Sequence, residues 1–483
     1  MIDKLSWMAI YPEVVLLVMA CIIALVDLST AGARRTRTYI LTLLTLAVVA
    51  FLTGLNASNG QTVYGFGGMV VSDPMGNWLK CFASIALMVS LVYGRPYAAD
   101  RGMLRGGEMF TLSMFSLLGM FVMISGSNFL MIYLGLELLT LSSYALVALR
   151  RENAVASEAA MKYFVLGAMA SGFLLYGLSM MYGATGSLDV NEVFKAIASR
   201  KVNHQVLVFG LVFIVAGLAF KVGAAPFHMW VPDVYQGAPT AVTLLIGAAP
   251  ELAAFAIIIR LLVEGLLPLA IDWQQMLTIL AVLSMAIGNI TAIAQTNLKR
   301  MLAYSTISHM GYLLYGFMSV SANGYASAMF YISSYVIMSL CSFGIILLLS
   351  RKGFEAENLD DLKGLNQRSP WFAFLMMITM FSMAGIPPTL GFYAKFTVLQ
   401  AALQAGYLWL VVFAVLMAVV GAFYYLRIVK LMYFDEPLDN SPIVNHVEMN
   451  MVLSVNALGL LALGMMPQRL MEICAYAITR SLQ

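Results

Sequence analysis

The stretch GLAFKVGAAPFH (residues 217–228) carries a single lysine, Lys221, in an otherwise apolar segment that glycine and Pro226 interrupt. Proline removes a backbone N–H donor and clashes with the preceding helical turn, so the stretch predicts a helix that breaks close to the lysine. In a lipid bilayer, backbone groups freed by such a break are tolerated only inside protein or beside a polar cavity. Lys221 therefore marks the expected cavity.

A second stretch, MAGIPPTLGFYAKF (residues 383–396), combines Pro387 and Pro388 with another lone lysine, Lys395. By the same reasoning it predicts a second broken helix with a lysine at a polar cavity. Two such stretches favour an all-α polytopic membrane protein that moves something polar. Ordinary proline kinks, which are common in membrane helices, are the alternative explanation.

The composition agrees with a membrane location. Of the 483 residues, 61% are hydrophobic and 11% are charged, against about 25% charged in soluble proteins. At about 20 residues per span, apolar segments predict about fourteen transmembrane helices near residues 11–28, 39–56, 77–94, 109–124, 128–149, 160–182, 205–228, 239–263, 274–295, 301–321, 325–350, 371–397, 404–432 and 449–467.

The order of the spans suggests an internal repeat. Spans four to eight and nine to thirteen form two sets of five, and the broken helix is the fourth member of each. Because five is odd, the second set enters from the opposite face, which is the inverted-repeat plan of many transporters. The expected division is an N-terminal three-helix segment (1–108), two five-helix repeats (109–265 and 266–434), and a C-terminal helix and tail (435–483).

Basic residues indicate the orientation, because they favour the cytoplasmic side. With the N-terminus outside, most of the 27 lysines and arginines fall in the inward loops, among them Arg101, Arg105, Arg150, Arg151 and Lys299. Both termini are then expected on the outer face. The net charge of +3 is spread along the chain, so no nucleic-acid partner is expected.

No cofactor is expected on this chain. The four cysteines, Cys21, Cys81, Cys341 and Cys474, lie far apart in apolar segments without CxxC spacing, which favours small core residues over a metal or iron-sulfur site. Gly-rich phosphate-binding motifs are also missing from the sequence, so neither a dinucleotide nor ATP has an evident binding site.

Four ionisable residues fall inside predicted spans: Glu137, Lys221, Glu251 and Lys395. Each costs roughly 2.5–3.5 kcal/mol at mid-membrane, so each is expected to pair, face water or change its protonation state. Burial disfavours the ammonium form of a lysine and a nearby carboxylate favours it. Moving Glu137 relative to Lys221 would therefore load or unload a proton. A static Glu–Lys pair that joins helices is the alternative.

Two histidines are weaker candidates for the same relay. His228 and His309 lie at or inside span ends, and histidine titrates near neutrality. A lone helical histidine is more often a hydrogen-bonded core residue, although the hydroxyl groups of residues 305–308 could order a water chain beside His309. The segment 187–201 alternates charged and apolar residues, which predicts a solvated amphipathic loop helix.

Three motifs carry a family resemblance. KVGAAPFHMWVPDVYQGAP (residues 221–239), NLKRMLAYSTISHMGY (297–312) and MAGIPPTLGFYAK (383–395) resemble the antiporter-like membrane subunits of respiratory complex I. The resemblance covers essentially the whole chain. It is strongest to those members that have lysine, rather than glutamate, at the position of Lys395.

The resemblance implies a proton-pumping module of NADH:quinone oxidoreductase in the bacterial inner membrane, with both termini periplasmic. The helix-5 glutamate of the family falls on Glu137, its helix-7 lysine on Lys221, and its helix-12 residue on Lys395. The family usually has lysine or histidine in helix 8, where this chain has Glu251. A carboxylate there would attract a neighbouring ammonium that a second base would repel.

The same resemblance places FMN, iron-sulfur clusters and quinone on other subunits, and it makes the other membrane subunits and the lipid bilayer the partners of this chain. Two alternatives remain. A cation/proton antiporter subunit of the Mrp type shares the broken helices and lysines, and a passive membrane spacer would need no relay at all.

Overall fold

The structure is a computed structural model that describes residues 4–30, 32, 34–439, 441–444 and 446–482. The described residues form these α-helices: α1 Lys4–Leu28, α2 Thr36–Asn59, α3 Pro74–Asp100, α4 Glu108–Ser125, α5 Phe129–Val147, α6 Ala154–Thr185, α7 Val190–Ala198, α8 His204–Lys221, α9 Trp230–Gly237, α10 Thr240–Ile246, α11 Ala249–Ile258, α12 Ala270–Ile293, α13 Leu298–Met318, α14 Ala322–Leu349, α15 Leu365–Arg368, α16 Pro370–Ala384, α17 Leu390–Gln404, α18 Leu408–Phe434, α19 Val447–Met465 and α20 Gln468–Ser481.

Short elements connect some of these helices. One antiparallel hairpin pairs β1 Val63–Gly65 with β2 Val70–Ser72. A π-helical turn, Ile259–Gly265, continues α11, and 3-10 turns occur at Phe66–Gly68, Ala148–Arg150, Leu267–Leu269 and Leu359–Leu362.

The predicted all-α polytopic membrane fold is confirmed. Among the described residues, 12 helical stretches are long and apolar enough to cross a membrane. The less apolar α13, with 21 residues, and the α16–α17 pair occupy the positions of the tenth and twelfth predicted spans. The total of fourteen spans stays a prediction.

Burial separates central from peripheral helices. The most apolar windows of Thr240–Gly265 and α14 are 100% and 94% buried, whereas those of α18 and α19 are 22% buried. Large apolar side chains of α18, such as Trp409 and Val419, are exposed. The peripheral helices therefore present the apolar surface that a bilayer requires, and polar groups of the central helices are shielded from lipid.

Both predicted helix breaks are present, and side chains satisfy the freed backbone groups. α8 ends at Lys221 and α9 begins at Trp230. In this break the Ala225 amide donates to Ser284 Oγ over 2.8 Å, and Trp230 Nε1 donates to the Phe220 carbonyl over 2.9 Å. In the second break α16 ends at Ala384 and α17 begins at Leu390. Gly385, directly after α16, adopts a left-handed conformation with φ 87°.

A third interruption was not predicted from the sequence, which indicated one continuous span over 239–263. Here α10 ends at Ile246 and α11 starts at Ala249. The Gly247 carbonyl freed by the interruption accepts a hydrogen bond from Ser339 Oγ of α14 at 3.0 Å. As a result Glu251 lies in the first turn of a helix rather than in the middle of one.

Close helix packing holds α5 in place. A methyl group added to Gly119 of α4 would overlap the backbone of Leu139, and one added to Gly135 of α5 would overlap the backbone of Met123. Small residues at such contacts let membrane helices approach closely. The α5 backbone that carries Glu137 therefore has no space to move toward α4.

The segments outside the bundle core are short helices. The amphipathic loop helix predicted within 187–201 is α7, which Asp189 caps at its N-terminus. The C-terminal α20 packs against α3 and α14. The Ser6 hydroxyl accepts from the Phe66 amide and the Ser481 hydroxyl accepts from the Met75 amide, so both ends of the described chain lie at the same end of the bundle.

Candidate functional site

Lys221 lies at the C-terminal end of α8, where the helix breaks, and it is partly buried. Two carboxylates act on its ammonium charge, Glu251 more strongly than Glu137. Glu251 is only 3% exposed. The structure thus places three of the four predicted residues close enough to interact through their charges, and the buried Glu251 is shielded from lipid.

A small cavity joins Lys221 to the helix of Glu137. The cavity has a volume of about 20 Å³, and its wall includes Lys221, Tyr144, Ser171 and Thr140. Thr140 lies one turn along α5 from Glu137. Since about 10–15 Å³ suffices for one water molecule, the cavity can connect the two sides with a single hydrogen-bonded water.

Glu251 is placed where a carboxylate is favoured. It lies in the first turn of α11, and the N-terminal end of a helix carries a partial positive charge. Its charge also acts on three tyrosines, Tyr163, Tyr235 and Tyr335. Tyr335 belongs to α14 and leads away from Lys221.

A cluster of hydroxyl groups surrounds His309. Tyr335 Oη and Thr306 Oγ1 are hydrogen-bonded at 2.7 Å, and the Tyr335 ring centroid is 5.4 Å from that of His309. His309 Nδ1 is 2.7 Å from Tyr331 Oη, and its Nε2 is 3.1 Å from Tyr425 Oη. The imidazole is 2% exposed and both of its nitrogens are engaged, so it can pass a proton from one hydroxyl to another.

Lys395 lies beyond this cluster, on α17. Its Nζ donates to the carbonyls of Met383 and Ala384 at 2.9 and 3.0 Å, which are the last carbonyls of α16. It also lies 5.0 Å from the centroid of the Tyr312 ring. The lysine charge acts on His309, so the histidine lies between the two broken helices.

We call seven of these side chains the polar row: Glu137, Lys221, Glu251, Tyr335, Thr306, His309 and Lys395. Among the described residues, Tyr335 and Thr306 are its one directly hydrogen-bonded pair. Its members belong to helices from α5 to α17, and Glu251, Tyr335, Thr306 and His309 are buried. His228 does not join it through any described contact, and its imidazole lies beside the Pro226 carbonyl in the turn after α8. Thr306 belongs to the hydroxyl cluster indicated by the sequence at residues 305–308, whereas the tyrosines were not singled out from the sequence.

Two buried ion pairs were also not assigned from the sequence. Lys80 Nζ lies 2.5 Å from Glu13 Oε1, which also accepts from Ser125. Arg260 pairs with Asp73 at 2.6 Å and with Glu264. Lys80 and Arg260 lie within the predicted spans 77–94 and 239–263, but nothing in the pattern identified their partners.

Lys299 is placed differently from its predicted position in an inward loop. It is the second residue of α13 and is 4% exposed. Its Nζ donates to the Ala238 carbonyl at 2.9 Å and lies 3.7 Å from Glu357. Lys299 thereby joins α13 to the end of α9.

Within the described parts of the chain, no group of three or more His, Cys, Asp or Glu side chains could hold a metal ion. The four cysteines are all free thiols. Cys21 is exposed on α1 rather than buried, because that face of the helix is on the outside of the bundle.

Known proteins are similar to this chain in sequence and in fold. A family model described as the transmembrane region of NADH:quinone oxidoreductase and Mrp antiporter proteins matches residues 126–421. NADH-quinone oxidoreductase subunit N of Polaromonas naphthalenivorans (strain CJ2) is 67% identical over 491 residues, which cover 99% of this chain and 98% of the relative.

Solved structures agree. A chain of respiratory complex I from Thermus thermophilus with bound aureothin is 29% identical, with a TM-score of 0.81 over 96% of this chain and 100% of that chain. A chain of the Mrp complex from Dietzia sp. DQ12-45-1b has a TM-score of 0.85 at 20% identity, covering 98% of this chain and 97% of that chain. The latter likeness shows a shared fold alone.

Proposed function

The chain belongs to the family of NADH-quinone oxidoreductase subunit N, and from this premise we propose that it moves protons across the membrane along the polar row. Quinone reduction on other subunits of the complex drives the movement, and FMN, iron-sulfur clusters and quinone are bound there. This chain is a multi-pass membrane subunit that assembles with the other membrane subunits and takes no part in electron transfer.

The polar row is the single observation that supports the relay. Lys221 is the proton acceptor, because two carboxylates act on its ammonium and a change in the charge or position of either one changes its affinity for a proton. The proton passes from Lys221 to Glu251 and, by way of Tyr335, Thr306 and bridging water molecules, reaches His309 and then Lys395. Each of these side chains has an oxygen or nitrogen that can both accept and donate a hydrogen bond in one of its protonation states.

Glu251 makes the electrostatic interaction with Lys221 attractive. Where the family resemblance implies a second base in helix 8, this chain has a carboxylate, which attracts the ammonium of Lys221. Loading Lys221 is therefore favoured when Glu251 is ionised, and transfer of a proton to Glu251 releases that attraction. The static-pair alternative does not account for the hydroxyl cluster that continues from Glu251 to Lys395.

The orientation is part of the proposal. Both ends of the described chain lie at one end of the bundle, and the distribution of basic loop residues assigns that end to the periplasm. Protons then enter from the opposite, cytoplasmic side. The division into inverted repeats at 109–265 and 266–434 stays a prediction.

Replacement of Lys221 by alanine tests the function. In the intact complex reconstituted in liposomes, we expect Lys221→Ala to lower the number of protons moved per NADH oxidised, while NADH oxidation by an artificial acceptor is unchanged. Lys195→Ala is the matched control, because Lys195 is an exposed lysine of α7 that pairs only with Glu192 among the described residues. Proton transport at the full rate in Lys221→Ala would contradict the relay, and sodium efflux without NADH oxidation would favour the Mrp-type alternative.

A further inference from the structure

A cavity of about 490 Å³ lies away from the polar row, between two connections of the bundle. One wall is the α3–α4 connection, with Arg101 and Arg105, and the opposite wall is the α5–α6 connection, with Arg150 and Arg151. All four arginines belong to the loops predicted to face the cytoplasm. The cavity is thus at the membrane boundary of that face.

The charges that line the cavity are predominantly positive. Four arginines face two carboxylates, Glu108 and Glu152. Outside the wall, Glu355 pairs with Arg101 at 2.6 Å and lies 3.6 Å from Arg150. Arg151 and Glu152 are 3.9 Å apart, but both side chains are 86% exposed, so this pair is weak.

Two of the arginines retain binding capacity. Arg105 is exposed and forms no ion pair with the described residues. The side chain of Arg101 is 5% exposed and stacks at 3.8 Å over the Tyr97 ring, and its Nη1 has no hydrogen-bond partner within the described part of the chain. A guanidinium held this way is oriented in advance, which suits recognition of a phosphate.

Part of the cavity wall is apolar. Leu112 of α4, Ala145 of α5 and Leu149 line it together with Met103. A free anion has no apolar part that could pack against such a surface, whereas a phospholipid presents a phosphate next to its acyl chains. Basic pockets between membrane helices on the cytoplasmic side are a recurrent setting for anionic headgroups.

We propose that this cavity binds the phosphate of an anionic phospholipid of the inner leaflet, with the arginines on the headgroup and the aliphatic wall on the first methylenes. This site is independent of the relay, because it shares no residue with the polar row. It would make lipid a fixed component of this end of the bundle rather than only its solvent.

The experiment uses the intact complex in phosphatidylcholine nanodiscs that contain a minor fraction of phosphatidylglycerol. The variant Arg105→Gln/Arg151→Gln removes two exposed guanidinium groups of the cavity. The control Arg37→Gln/Lys352→Gln removes two exposed positive charges that lie outside it. Retained phosphatidylglycerol is counted by native mass spectrometry, with and without competing inorganic phosphate.

We expect the cavity variant to bind phosphatidylglycerol roughly fivefold more weakly per arginine removed, since a basic group close to anionic lipid contributes about 1 kcal/mol, while the control keeps the lipid. Equal retention in both variants would overturn the proposal. Phosphate that displaces no lipid but binds in an arginine-dependent manner would assign the cavity to a free anion and also overturn it. Loss of a neighbouring subunit from the cavity variant, without loss of lipid, would identify a protein interface instead.

Discussion

The two lysines at the two broken helices are stabilised in different ways. Lys221 has carboxylates as its electrostatic partners, Glu251 and Glu137, and donates no hydrogen bond to the described residues. Lys395 has no carboxylate partner there and donates to two backbone carbonyls at 2.9 and 3.0 Å. One lysine is compensated by side-chain charge, and the other by backbone dipoles.

This difference separates their roles. A carboxylate can change its charge or rotamer, so the proton affinity of Lys221 can be changed from outside the site. Backbone carbonyls keep their partial charge, so the surroundings of Lys395 are constant unless the helix ends themselves move. The proton affinity of Lys221 is therefore suited to change when a neighbouring subunit moves or recharges a carboxylate. The proton affinity of Lys395 is suited to stay constant at the far end of the row.

The largest effect is expected from Glu251→Gln. This change removes one of the two carboxylates that act on the Lys221 ammonium, and it replaces a side chain that can carry a proton with one that cannot. Proton transfer by a positioned acid or base contributes about 10²–10⁴-fold in rate. Proton transport through this subunit should fall by roughly two orders of magnitude or more. The number of protons moved per NADH oxidised, in liposomes, measures this loss. Glu251→Asp is the charge-preserving control. Unchanged transport in Glu251→Gln would show that Glu251 is outside the pathway.

Replacing each lysine with methionine separates structural from proton-carrying roles. Lys395→Met leaves the Met383 and Ala384 carbonyls without donors, at about 1 kcal/mol or more each. Lys221→Met removes no hydrogen bond to the described chain, and the carboxylates it leaves can take up protons. Thermal dissociation of the complex should therefore occur at a lower temperature in Lys395→Met. Equal dissociation temperatures for the two variants would show that the two lysines do not differ in their structural role.

Two glycines provide a finer comparison. Gly385 and Gly223 both have positive φ, 87° and 68°, so alanine at either one costs about 1–2 kcal/mol. A methyl group at Gly385 would lie 3.0 Å from Lys395 Cδ, whereas one at Gly223 would meet Val231. Transport, normalised to the amount of assembled complex, should be reduced more in Gly385→Ala. A larger defect in Gly223→Ala would indicate that the position of Lys395 is not critical.

The smallest effect is expected from Tyr335→Phe, which removes the 2.7 Å hydrogen bond to Thr306 and keeps the ring. Loss of one such bond corresponds to about 1 kcal/mol, or roughly a fivefold slower transfer. Tyr315→Phe is the matched control, because among the described residues Tyr315 Oη bonds only to the Leu410 carbonyl, which is not part of the row. The initial rate of proton uptake in liposomes measures the change, and equal rates for both variants would exclude Tyr335.

Much of the architecture could be predicted because it depends on local chemistry. The apolar spans follow from the cost of exposing polar groups to lipid, and the breaks at Pro226 and Pro387 follow from the missing proline donor. The amphipathic helix α7 follows from the alternation of charged and apolar residues in the segment 187–201. The lysines at both breaks could be identified for the same reason, since a lone charge in an apolar span needs compensation.

The contacts that complete the site could not be predicted, because they join distant parts of the chain. Glu13 and Lys80 are 67 residues apart in sequence, and Asp73 and Arg260 are 187 apart. The interruption before Glu251 occurs at Gly247 and Ala248, and a glycine followed by Pro250 is also compatible with a continuous helix. Packing against Ser339 of α14 selects the interrupted form.

The attachment of Lys395 to the end of α16 links chemistry to mechanics. An ammonium forms stronger hydrogen bonds with carbonyls than a neutral amine does, so departure of its proton weakens the cap on that helix end. In the proposed relay, each turnover would thus weaken and then restore the junction between α16 and α17. In that relay Lys395 would both carry the proton and hold the end of α16. Vibrational spectra of the Met383 and Ala384 carbonyls would report the protonation state of Lys395 directly.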